Sequence, residues 1–398
     1  MGAGDGIVIG ITKIVDNGSE SDRFNIVLVA EGYQAAELTQ FASDAQQFVT
    51  HLFSEDPFLS YQQAFNVYRL DVSSDESGAD DPITCSGGTG ASPHTYFDAS
   101  FCNGGIRRLL SVDSSLALSV VNSLLPEWHQ IIVIVNSPIW GGAGGTLAIT
   151  STAAGWENIA IHELGHAAFD LADEYEYWEG CGADTTQDHY TGGEPAAVNV
   201  TINTNRATIK WGDLIDASTP LPTTSNPDCS QCDSQPSPVP QGTVGAFEGA
   251  YYYHCGVYRP EYNCMMRNLS GFCAVCQRRI KEVLDPYLPD QIPHFDTDLL
   301  FQWQHVIIPR WILVAYLIIN ERMKDLAQNI KFKPSKEFYN TVTKYLGAYM
   351  VKNTMPPKEI AGAILNLADD YLANRPMNLR AGDYLAIQNF IKKTAKHR

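Results

Sequence analysis

The sequence predicts an α+β fold: a first domain with a mixed sheet over one motif-bearing helix, then an all-helical C-terminal region. Three observations predict it. Apolar, β-branched runs alternate with helix-period stretches over residues 1 to about 289. One helical stretch carries His162-Glu163-Leu164-Gly165-His166, a spacing that sets two imidazoles on one helix face. Beyond the Pro289–Pro293 stretch the pattern is helical only.

In chain order, Ile26–Val29, Asn66–Val72 and Ile131–Val135 are short apolar runs rich in Val and Ile, and read as strands. Ala35–Phe53 and Ser114–Leu124 between them read as helices. Gly141–Gly145 forms a glycine loop that either admits a substrate backbone or is a flexible turn. It is not a phosphate loop, because no Lys-Ser/Thr follows it. Thr146–Thr152 reads as an edge strand along which an extended substrate adds a further strand. Ala153–Asp170 reads as the helix bearing the motif. Gly165 within it costs roughly 1 kcal/mol relative to Ala, which predicts close packing there.

Residues 176 to about 250 are loop-rich, most of all Pro220–Gly242, and read as a large insertion rimming the cleft. The first domain ends at about residue 289. In residues 290–398, Trp311–Ala327, Lys336–Lys352 and Pro357–Leu372 read as helices, and a basic run closes the chain. This region carries no catalytic constellation, and its role stays open between a docking domain, an oligomerisation element and a lid.

Residues four apart on a helix can reach one ion, so His162 and His166 are candidate metal ligands. Glu163 stands beside them, placed to take a proton from water as the general base of a zinc hydrolase. A buried helix with satisfied histidines is the plainer reading, but two His, a Glu and a following carboxylate pair offer a core little. The third ligand is Asp173, with Glu174 the alternative. On a straight helix Asp173 would lie roughly 10 Å further along the axis. The chain must therefore bend after about Phe169 or Asp170.

The run from His162 to Tyr175 resembles that of the bacterial IgA-peptidase-type zinc metallopeptidases (metallopeptidase family sixty-four), whose motif is HExGH, a leucine, and Ala-Asp-Glu-Tyr. Further similar segments are Asp22–Tyr33, Phe65–Tyr68, Ser74–Asp80, Ile132–Ser137, Gly141–Gly145 and Tyr258–Arg267. Spaced along the chain, they extend the match over most of the first 285 residues. The resemblance implies a metzincin-like zincin domain and an endopeptidase with one catalytic zinc ion, with Met266, or else Met265, forming a turn beneath the metal. A thioether packs well under imidazoles without competing for the ion. In metzincins a glycine makes the bend and the third ligand comes six residues after the second His. Here Phe169 replaces that glycine, Ala172 holds the ligand position and Asp173 is one residue late. Tyr258, with Tyr262 as runner-up, is a candidate to steady the oxyanion through its phenol. The family name suggests immunoglobulin, but no residue here reads out such a substrate, and likeness of fold does not set specificity.

A net charge of −18 argues against nucleic acid and anionic membrane surfaces as partners, while the resemblance implies a protein or peptide substrate. Oligomeric state is not legible. The acidic loop Asp71–Asp81 lacks the spacing of a calcium-binding hand and reads as solvated, so structural calcium is not expected. Nine cysteines point to an oxidising compartment, extracellular or periplasmic. Cys85 and Cys102 bracket a loop and are expected to pair. Two C-x-x-C pairs, Cys229/Cys232 and Cys273/Cys276, read as disulfides in preference to a four-cysteine zinc site. The start Met1–Gly6 has no basic leader region, so no signal peptide is visible. Val306–Ile319, the most apolar stretch, is interrupted by Pro309 and Arg310 and is not expected to span a membrane. Two alternatives to a zinc endopeptidase stand: a zinc hydrolase acting on cell-wall amides, and a non-catalytic binding protein on a peptidase scaffold.

Overall fold

The computed structural model describes residues 4–177, 181, 188–233 and 235–289. The chain divides into two units after Pro289, and the described residues all lie in the first. The helices expected beyond residue 289, and the apolar Val306–Ile319 stretch, fall outside the described residues.

In chain order the elements are β1 (Gly6–Val15), β2 (Phe24–Glu31), α1 (Leu38–Leu52), α2 (Phe58–Tyr61), β3 (Phe65–Ser74), α3 (Ser114–Leu124) and β4 (Gln130–Val135). Then follow β5 (Gly142–Ala143), β6 (Ala148–Ser151), α4 (Trp156–Phe169), β7 (Phe247–Ala250), β8 (Tyr253–Arg259), α5 (Met265–Asn268) and α6 (Ala274–Leu284). Every residue of β2 and β4 is buried, as continuous apolar strands covered on both faces should be. Among the described residues they lie inside a six-stranded mixed sheet ordered β1-β3-β2-β4-β6-β5. β3, β2, β4 and β6 run parallel, with Ile26 beside Val67 and Gln130, and Ile132 beside Ala148. β1 and β5 pair antiparallel at the two ends.

The three expected strands are present, each longer by one to four residues, because burial continues past the apolar run. The expected helix Ala35–Phe53 opens as a short 3-10 turn, Ala35–Glu37, capped by reciprocal bonds between Gln34 and Glu37, before α1 proper. α4 starts at Trp156, not Ala153, since Gly155 is left-handed (φ 76°) and turns the chain into the helix. β6 is not the edge strand expected over Thr146–Thr152. The glycine loop folds back so that Gly142 and Ala143 pair with Thr150 and Ile149, and β5 takes the edge.

α4 packs against β4 and β6 of the sheet, against α1, and against α5 and α6. Phe58, Phe65, Phe169 and Phe272 join the sheet and helices in one core. The insertion after Tyr175 is loop-rich where described, with one 3-10 turn, Gly212–Leu214. Disulfides Cys181–Cys232 and Cys229–Cys255 hold it, and Cys85–Cys102 closes the other loop as expected. Cys273 and Cys276 correct the disulfide expectation: both remain thiols, as does Cys264. In the acidic loop, Asp71 pairs with Arg69 and Asp81 with Arg107. Among the described residues no helix is long and apolar enough to cross a membrane.

Candidate metal centre

The bend required to bring a third ligand back is made at the end of α4. Asp170 is left-handed (φ 54°), and its N–H and that of Leu171 donate to His166 O and Gly165 O at 3.2 and 3.1 Å. Asp is one of the few non-glycine residues that tolerates this conformation. Arg279 of α6 holds the corner, donating to Phe169 O (3.1 Å) and pairing with Asp170 Oδ2 (2.9 Å). Gly165 meets the close packing expected of it. A Cβ there would lie 2.7 Å from Met266 Sδ, so Met266 sits directly beneath the histidine helix.

After the bend, Asp173 Oδ1 lies 3.0 Å from His162 Nε2 and 3.2 Å from His166 Nε2, and the two Nε2 atoms are 3.2 Å apart. Glu174 turns away from them. His162 Nδ1 donates to Met265 O (2.9 Å) and His166 Nδ1 to Leu171 O (2.6 Å). Carbonyl oxygens only accept, so each Nδ1 carries a proton, and a ring that has lost its second proton presents an Nε2 lone pair. Two ring nitrogens and a carboxylate oxygen thus face one another, and either a proton on Nε2 or a cation must lie between them. Asp173 Oδ1 is buried without a hydrogen-bond donor.

The same geometry acts on the protons. Burial alone would lower the His162 pKa, but the Asp173 carboxylate overcomes it and pushes it up to about 9. His166 is raised for the same reason. Burial would raise Asp173, yet the two imidazoles hold it well below the usual carboxylate range. Such a cluster seeks a cation. Donors on a tetrahedral ion with bonds of about 2.0–2.1 Å stand roughly 3.3 Å apart, close to the spacing observed, so His162, His166 and Asp173 fit a divalent transition-metal ion.

Glu163 is buried in a cleft of about 580 Å³ lined also by Arg108, Trp140, His162, Tyr175 and Arg267. Burial pushes its pKa up, opposed by the imidazoles. At two positions the glycine loop runs too close to this carboxylate and its helix for a side chain. A Cβ on Gly142 would come within 3.2 Å of Glu163 Oε1, and one on Gly144 within 2.9 Å of Oε2 and 2.8 Å of His166 Cβ.

The structure does not bring Tyr258 to the cluster. It lies on β8 with its hydroxyl 3.4 Å from Glu248 Oε1, outside the cleft lining. Tyr262 donates instead to Gln235 O. The phenols at the site are Tyr175, stacked on His162 and reached by Arg108 at 3.4 Å, and Tyr252, which donates to Asp173 Oδ2.

Several partners of the cluster had no signal in the motif. Asn199 bonds Ala172 N and O at 2.9 and 2.8 Å, fixing the strand of chain that carries Asp173. Glu176 is buried between Arg259 (3.4 Å) and Arg267 (2.8 Å). Tyr252 arrives on a hairpin turn whose two central residues, Tyr251 and Tyr252, are both left-handed. Glycine and asparagine usually announce such a turn, and neither is present.

The family model described as IgA Peptidase M64 matches residues 12–235 and 234–284, more than half of the chain. No curated protein matches the chain significantly. The matched span contains the whole cluster and its cleft, and the chain belongs to the IgA peptidase M64 family of metallopeptidases.

Proposed function

We propose that the chain is a zinc-dependent endopeptidase of zincin type, cutting peptide bonds in proteins, with His162, His166 and Asp173 holding one zinc ion and Glu163 as general base. The observation that carries this reading is the triangle of Nε2, Nε2 and Oδ1 atoms at 3.0–3.2 Å with Glu163 beside it in an open cleft. When bound, the ion supplies a Lewis acid that acidifies water and stabilises negative charge on a carbonyl oxygen. Glu163 takes the proton of the attacking water and hands it to the leaving amine. Burial raises its proton affinity towards what that relay needs. Arg108 and Tyr175 replace Tyr258 as the donors facing a carbonyl oxygen. An extended substrate lies along the short edge strand β5.

The catalytic domain ends at about residue 289, and the three disulfides suit an oxidising, extracellular or periplasmic setting. The test is cleavage of a proteome-derived peptide library by zinc-loaded full chain, read by mass spectrometry, with Glu163→Gln alongside. The wild type should cut within peptides, and the variant should be slower by about 10²–10⁴-fold. No cuts from folded, zinc-loaded wild type would overturn the peptidase reading and turn attention to cell-wall amides.

A further inference from the structure

We propose a second metal site, structural and of zinc class, formed by Cys264, Cys273, Cys276 and Glu174. The disulfides use six cysteines, and the three that remain are buried thiols. They converge on one carboxylate: the four ligand atoms lie within 4.8 Å of one another. Cys264 Sγ is 3.8 Å from Cys276 Sγ, and Glu174 Oε1 is 3.3 Å from Cys276 Sγ and 3.9 Å from Cys273 Sγ. Zinc–sulfur bonds of about 2.3 Å set sulfurs roughly 3.8 Å apart around a tetrahedral ion.

Local donors oppose the cost that burial places on thiolates here. Cys273 caps the N-terminus of α6, where the helix dipole favours negative charge. The N–H groups of Cys273 and Cys276 point at Cys264 Sγ and Cys273 Sγ, each at 3.4 Å. Three buried thiols alone would pass as small apolar side chains. A fully buried carboxylate among them would not, and Glu174 Oε2 has no hydrogen-bond partner. Binding replaces three S–H protons by one divalent cation: three thiols, a carboxylate and Zn²⁺ give a complex of charge −2 and three protons.

This ion would be a staple for the first centre. Glu174 follows Asp173 in the chain, and its N–H donates to Met266 O at 2.8 Å. Cys264 precedes Met265, whose carbonyl orients His162. The second site therefore ties together the two segments that position His162 and Asp173.

The test is metal content and cobalt spectroscopy of the full chain. Zinc-loaded wild type should hold two equivalents. Cys273→Ser/Cys276→Ser should lose at least the second, and His162→Ala/His166→Ala should keep it. Wild type reloaded with Co²⁺ should show sulfur-to-cobalt charge-transfer bands that survive in the histidine variant. If the cysteine variant fails to fold, the wild-type cobalt spectrum still decides. Absence of those bands, or a disulfide among these three cysteines in the mass map, overturns the proposal. Bands that persist while the histidine variant retains its full zinc content would instead sink the first-site ligand assignment and leave this one standing.

Discussion

Glu31, at the end of β2, is fully buried and accepts from the N–H groups of Phe97 and Ala99, both at 3.0 Å. Burial pushes its pKa from the ordinary 4.5 up to about 7, against the pull of those donors. Between these values the unfolded chain has released a proton that the fold retains, so stability falls as pH rises through the window. The loss is complete above about 7. At about 1.4 kcal/mol per unit it amounts to roughly 3 kcal/mol. Glu31→Gln removes the titration. The stability difference between variant and wild type, from denaturant melts at pH 5 and pH 8, should shift in favour of the variant at the higher pH. A difference that does not move with pH would show that the donors around this carboxylate keep it ionised. The residue's identity was plain in the sequence, but its burial was not, since a glutamate after an apolar strand reads equally well as a solvated strand end.

On α4, two positions define what the helix can do. Gly165 lets Met266 approach, and Asp170 reverses the chain so that Asp173 returns. Replacing Gly165 by Ala should gain roughly 1 kcal/mol of helix propensity but force Met266 out of a fully buried place, at a cost of about 1–3 kcal/mol. The expected outcome for Gly165→Ala is net destabilisation by about 1 kcal/mol, with weaker zinc retention against a chelator. A variant more stable than the wild type would mean that the methionine yields freely. The helix, its glycine and the need for a bend were all legible from spacing. The β7–β8 hairpin was not, because its turn uses Tyr251-Tyr252 in a conformation whose usual residue signals are absent. Its strands are short, and Arg259 donates to Glu248 O and Gly249 O on the facing strand.

At the scale of the whole molecule, the described part of the loop-rich insertion is held by covalent links together with isolated bridges such as Thr201 to Tyr258. Cys181–Cys232 spans 51 residues of sequence and places Cys181 on the wall of the cleft. Such a link is worth about 2–4 kcal/mol. Cys181→Ser/Cys232→Ser should lose unfolding free energy in that range, read from denaturant melts. It should also raise KM for a peptide substrate while leaving zinc content unaltered. An unchanged KM would show that the cleft wall keeps its shape without the link. The pairing itself was beyond reach of the sequence: Cys229 and Cys232 are neighbours with different partners, Cys255 and Cys181.

What the sequence by itself determined was local. The i, i+4 histidines and Glu163 follow from helix geometry, the central strands from apolar runs too long to be exposed, and the bend from the distance a straight helix would impose. Tertiary structure decided whatever depends on distant segments meeting. It sent Asp173 to the imidazoles and Glu174 to the cysteines, though the two are adjacent. It set Tyr175 and Tyr252, not Tyr258, beside the cluster. It also divided two identical C-x-x-C spacings between disulfides and free thiols. The physical reason is that neighbouring side chains in an irregular segment can point opposite ways, so spacing carries direction only where the backbone repeats.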